Sequence, residues 1–184
     1  MRLKSSAKDF SININGASWK FIDSLVAKDI PQLNFKKYVY DPCQIELTEL
    51  ENDFAQFLEE NSSDMLWWYK NSNQTHQNEI FIQYLNIKIS PDFMVMMEDG
   101  FLGLFILDQN QRNLKDIAKI LQNFIKIYNS KHKLFGGIIT KCNDSFWISD
   151  SSEYEELIDD GIIQENDERK WYKLKTYINN LNCE

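Results

Sequence analysis

Cysteine is scarce in this chain: 184 residues hold three, Cys43, Cys142 and Cys183, an odd number with no CxxC spacing. That excludes a disulfide framework, gives no sign of a zinc centre, and fits a reducing cytoplasm. Long apolar runs are lacking as well. No stretch approaches the roughly eighteen apolar residues of a membrane-spanning helix, and the opening MRLKSSAKDF lacks the apolar core of a signal peptide. The expectation is a soluble, cytoplasmic protein with no membrane partner. Basic charge is the third shortage. Against 28 Asp and Glu stand 20 Lys and Arg, for a net charge of -8, so the surface as a whole does not attract a phosphate backbone. Nucleic-acid contact would need a local basic patch or a partner.

What the chain does have is apolar bulk, 43% hydrophobic and 14% aromatic, in a length that buries one core and leaves little room for a second. We read residues 1–43 as an N-terminal extension, 44–149 as the core, and 150–184 as a helical closure of the same domain. In the extension, Phe21, Leu25 and Val26 follow helical spacing, and Lys37 to Tyr40 reads as a strand between Pro31 and Pro42. From Glu46 the pattern is clearer. Leu47, Leu50, Phe54, Phe57 and Leu58 predict a helix ending near Asn61, with Thr48 and Glu51 spaced as a capping box.

Strands are expected at Met65 to Tyr69, Ile80 to Tyr84 and Asp92 to Met97, then a Glu98-Asp99-Gly100 turn. The returning strand, Phe101 to Leu107, is so apolar that it should be central. Leu114 to about Asn129 predicts an amphipathic helix. Leu134 to Thr140 and Ser145 to Ile148 predict two more strands, and Tyr154, Leu157, Ile158, Trp171, Leu174 and Ile178 one or two closing helices. The expected class is α/β (α+β), a central mixed sheet flanked by helices.

Four local segments carry a family resemblance. They are Leu50-Glu51-Asn52-Asp53-Phe54-Ala55 on the helix, Trp67-Trp68-Tyr69-Lys70-Asn71, Ser90-Pro91-Asp92-Phe93-Met94-Val95, and Gly100 to Leu107. In this order they resemble the C-terminal endonuclease domain, of the PD-(D/E)XK kind, attached to superfamily 2 helicases of type III restriction enzymes and their relatives. The resemblance covers Gln44 to Ser149. It implies a restriction-endonuclease-like fold, Mg²⁺ chemistry on DNA, and a helicase or methyltransferase subunit as partner.

In such nucleases carboxylates hold a divalent cation that polarises the phosphodiester and lowers the pKa of the attacking water, which a lysine orients. The carboxylates come from the Pro-Asp strand and from a Glu-x-Lys on its hairpin partner, where side chains two apart share a face. Asp92 matches the first. With Gly100 and Gly103 aligned on the family's glycines, the Glu position holds Ile106 and the Lys position Asp108. Isoleucine cannot ligate a cation, and aspartate reverses the lysine's charge. The resemblance thus implies a nuclease fold whose ordinary cleavage is lost. A rescue stays open, in which Glu51, Asp92 and Asp108 converge, Asp92 and Asp108 ligate Mg²⁺, and Lys115 or Lys119 reaches over from the next helix.

Each residue also has a structural explanation. Asp92 can simply open a strand after Pro91, Glu51 complete a helix cap, and Asp108 end a strand. Trp67, Trp68 and Tyr69 can stack on bases, although aromatics on a strand more often build the core, and at least one Trp should do so. Lys70 and Asn71 lie where the family approaches nucleic acid, and with Lys119 they are the DNA-binding candidates. Lys115, Lys119, Lys126, Lys131 and Lys133 form the basic cluster, for which a solvated helix face is the ordinary explanation. His76 and His132 stand alone, without ligand spacing. Three functions follow: a catalytically degenerate nuclease-like domain with a DNA-associated or protein-interaction role in restriction or phage defence; an active Mg²⁺-dependent endonuclease with a migrated site; or an acidic protein-binding scaffold.

Overall fold

The apolar run after Gly100 becomes the middle of a sheet, and its six residues, Leu102 to Leu107, are all buried. Because successive side chains of a strand point to opposite faces, both faces of the sheet are covered there. The computed structural model describes residues 1–14, 17–25, 30–61, 63–71, 80–84, 87–109, 112–155 and 171–181. Ahead of the first helix come β1 (Arg2–Leu3), a 3-10 turn (Ser5–Ala7), β2 (Ser11–Ile14), β3 (Ala17–Lys20) and β4 (Tyr40–Asp41). Next are α1 (Glu49–Glu60), β5 (Met65–Lys70), β6 (Ile82–Tyr84), β7 (Ile87–Ile89), β8 (Phe93–Met97) and β9 (Leu102–Leu107). The chain continues through α2 (Leu114–His132), β10 (Leu134–Cys142), β11 (Ser145–Ser149), β12 (Trp171–Lys173) and α3 (Leu174–Leu181).

Among the described residues, six strands form the main sheet in the order β12-β11-β10-β9-β8-β5. Only β9 and β10 are parallel, as the helical crossover α2 between them requires; the other pairs are antiparallel. The class is therefore mixed α/β, a mixed sheet with, among the described residues, three helices. The turn between β8 and β9 uses Gly100 at φ 88, which suits glycine at no steric cost. Phe54 of α1 docks edge-on against Phe93, Phe105 and Phe146, tying the helix to three sheet strands. The capping box is formed, and α1 stops at its Asn61 cap.

Several elements differ from expectation. No helix forms at Phe21 to Leu25, because that segment's backbone groups are used by the N-terminus: Leu3 N–H donates to Asp23 O and Leu25 N–H to Met1 O. Phe21 instead packs on Phe10, Trp67 and Tyr69. Val26 lies outside the described residues. The strand expected at Lys37 to Tyr40 splits in two, β4 pairing with β1 and Tyr38 bridging to Trp68. Of the Ile80 to Tyr84 strand only β6 forms, and it pairs with β7 as a hairpin outside the main sheet. Trp171, expected on a helix, sits on β12 against Ser149, while Leu174 and Ile178 do belong to α3. Leu157 and Ile158 lie outside the described residues. Leu3, Trp19, Phe21 and Tyr40 join the same buried cluster as Phe105 and Ile138, so the first 43 residues contribute to one shared core.

Candidate functional site

Three ends meet beside the Pro91-Asp92 step: the start of α1, the end of β5 and the start of α2. Asp92 precedes β8, and its backbone N–H donates to Phe105 O at 2.8 Å, which fixes it beside β9. Its carboxylate is buried and accepts three hydrogen bonds. Oδ2 accepts from Leu107 N–H at 2.8 Å and from Arg112 Nη1 at 2.7 Å, while Oδ1 accepts from Arg112 Nη2 at 3.0 Å. This is the bidentate fork that guanidinium and carboxylate geometry favours. Arg112 lies one residue before Asn113, the N-cap of α2, whose side chain accepts from Asp116 N–H. The helix start thereby aims the arginine at Asp92.

A second ion pair stands alongside. Glu51, at the third position of α1, accepts from Thr48 N–H at 2.9 Å through Oε2. Its Oε1 meets Lys70 Nζ at 2.8 Å and Gln109 Nε2 at 3.3 Å. Burial disfavours the charged carboxylate, but the Lys70 and Thr48 hydrogen bonds, the Lys70 charge and the Gln109 amide outweigh it and hold the Glu51 pKa below its ordinary value. For Arg112 the Asp92 hydrogen bonds lead, burial opposes them, and the charges of Asp92 and Glu51 add, leaving its pKa raised.

These pairs line a cavity of about 680 Å³ with Glu46, Thr48, Asn71, Lys88, Ser90, Gln109 and apolar walls that include Ile89, Ile106 and Ile117. Asn71, expected to face nucleic acid, is 5% exposed and works as a brace. Its side chain donates to Ile80 O and Pro91 O and accepts from Ile80 N–H, which sets the loop carrying Asp92 against the end of β5. Lys70 lies on the cavity wall, as a nucleic-acid-facing residue would, but in an ion pair.

Glu51 and Asp92 are thus brought to one cavity, and Asp108 is not. The chain bends immediately after β9: Asp108 N–H donates to Ile139 O at 2.7 Å, Gln109 N–H turns back to Leu107 O, and the Asp108 carboxylate accepts from Tyr154 Oη at 3.2 Å. Period-two logic holds for Ile106 and ends where the strand ends. Lys115 and Lys119 are exposed on α2 and do not line the cavity, and Lys126, Lys131 and Lys133 are exposed as well. The cation that reaches over is Arg112, ahead of the helix. Base stacking by the aromatic strand is not available either: Trp67, Trp68 and Tyr69 are all buried, at 2%, 0% and 3% exposure. His132 is half-buried on α2, and His76 lies outside the described residues.

Among the described residues no group of three or more His, Cys, Asp and Glu side chains could hold a metal ion. With both Asp92 oxygens bound by a guanidinium, the donors in place do not fit Mg²⁺, a cation that demands near-octahedral oxygen ligands. Arg112 was not singled out from the sequence. The available signal was rarity: only Arg2, Arg112 and Arg169 are arginines, and Arg112 alone falls between the central strand and the helix after it.

The sequence profile of the YagJ family matches residues 40–179. The chain belongs to the YagJ family. The YagJ span begins at β4, ends within α3, and takes in every residue lining the cavity. No curated protein and no solved structure matches the chain. Among the described residues of this YagJ family member, no helix is long and apolar enough to cross a membrane.

Proposed function

We propose that this chain is a nuclease-like domain that has given up metal-dependent hydrolysis and acts by binding, in a restriction or phage-defence setting. One observation carries the reading: the Asp92 carboxylate, the expected metal ligand, is held in a bidentate pair by Arg112 and also accepts from the Leu107 amide, with Ile106 where a second carboxylate would stand. A carboxylate in a bidentate arginine pair sits against a fixed positive charge that repels a divalent cation, and displacing the arginine would leave a buried charge to be compensated. The net charge of -8 favours a protein partner over duplex DNA for the outer surface.

Incubation of the chain with duplex and single-stranded DNA in Mg²⁺ or Mn²⁺ should yield no products. Cutting that requires metal and disappears in Asp92→Ala would refute the proposal. A DNA-binding titration over increasing salt separates the two kinds of partner. Binding at low salt that weakens steeply supports a DNA-facing role, and none at low salt supports the protein-facing one.

A further inference from the structure

We infer that the cavity beside Asp92 binds a phosphate monoester, with Arg112 and Lys70 as its cationic donors and Asp92 and Glu51 as the buried carboxylates that position them. The inference rests on the reading that Asp92 holds no metal.

A guanidinium has five N–H donors. Two of Arg112's are spent on Asp92, which leaves three on a side chain that is 31% exposed at the cavity wall, against 8% for the carboxylate behind it. The pair therefore presents cation outward and anion inward. Lys70 has three donors, of which one goes to Glu51 and one to Asn71 O, leaving a third. Donors arrive at this cavity from separate elements: Arg112 before α2 and Lys70 at the end of β5. A tetrahedral oxyanion with three terminal oxygens accepts from several directions at once, whereas a planar carboxylate accepts in one plane. Arginine in particular matches phosphate through paired N–H groups.

Size and surroundings agree. About 680 Å³ lies within the usual range of small-molecule sites, about 300 to 1,000 Å³. Ile89, Ile106 and Ile117 contribute apolar wall beside a mainly polar lining, as in sites where a few polar groups orient a small ligand. Ile106, at the position where the resemblance implies a metal-binding glutamate, is part of that wall. The ligand class is a phosphate monoester, carried on a free nucleotide or on the 5′ end of a strand.

The test is calorimetric titration of the full chain with inorganic phosphate, a nucleoside 5′-monophosphate and a 5′-phosphorylated oligonucleotide. We expect saturable one-site binding of at least one of them. A tighter nucleotide assigns the site to a free small ligand, and a tighter oligonucleotide to a strand end; both support the inference. Arg112→Gln should weaken binding at least tenfold. Because that variant leaves Asp92 buried without its partner, the double variant Arg112→Gln with Asp92→Asn, checked for folding by its thermal transition, removes both charges together and should lose binding equally. If wild type binds none of the three, or the folded double variant binds as wild type does, the inference is overturned. These failures leave the metal-free reading of Asp92 intact, which only metal-dependent cleavage lost in Asp92→Ala would remove.

Discussion

At the scale of single residues, the site is two carboxylates that have each acquired a dedicated cation, and the two pairs behave differently under perturbation. Removing Arg112 abandons a buried Asp92 whose remaining donor is one backbone amide, so Arg112→Ala should cost on the order of 3 kcal/mol, read as a fall in the denaturation midpoint. Recovery of most of that loss in the double variant with Asp92→Asn would mark it as an uncompensated-charge effect. Glu51 offers a pH signature. Its folded pKa is depressed from 4.5, so the extra stability is fully present above that ordinary value and drains away as pH falls toward the folded one. Acid unfolding of wild type should therefore steepen below about pH 4.5, and Glu51→Gln should flatten that limb. An unchanged acid limb in the variant would show that Lys70 does not hold Glu51 ionised.

At the scale of elements, what the sequence disclosed and what it hid divide along a physical line. Helices α1 and α2 and strands β8 to β11 were readable because each is long enough for a period to repeat and is bounded by recognisable punctuation: Thr48 with Glu51, Asn61, the Asp99-Gly100 turn. The strands β7 and β12 are three residues each, too short to show any alternation, so β7 leaves no pattern to read and Trp171 reads as a helical residue. The pairing of Asp92 with Arg112 was hidden for a different reason. It joins positions 20 apart across the β8 and β9 hairpin, and nothing local records it. The bend at Asp108 was equally illegible, since its direction comes from Ile139 and Tyr154. One element carries its own test. Gly136 of β10 has φ 136, and a Cβ there would run into the backbone of Leu104 on β9, while its carbonyl accepts from Gln122 of α2 at 2.9 Å. Gly136→Ala should therefore destabilise the chain by about 2 to 3 kcal/mol, measured by chemical denaturation; a neutral result would mean that the β9 and β10 pair tolerates separation.

At the scale of the whole molecule, the segment ahead of the YagJ match is part of the structure that the match describes. Trp19 stacks on Phe124 of α2, and Phe21 fills a pocket between Phe10, Trp67 and Tyr69. A truncation beginning at Tyr40 should lose cooperative unfolding and near-ultraviolet circular dichroism and should bind hydrophobic dye, and a cooperative, native-like fragment would contradict this. The same segment closes one side of the sheet. Val39 N–H donates to Trp68 O and Trp68 N–H to Lys37 O, and Glu59 accepts from the Lys36 and Lys37 amides and the Trp68 indole, so the outer rim of β5 is occupied by its own chain. Among the described residues, the opposite rim of the sheet is three residues of β12. Unsatisfied strand edges are the templates on which proteins join into fibrils, and a rim this short offers a second copy very few backbone partners. Residues 36–39 thus occupy backbone groups on which a second copy of an aromatic, strand-rich protein would otherwise pair.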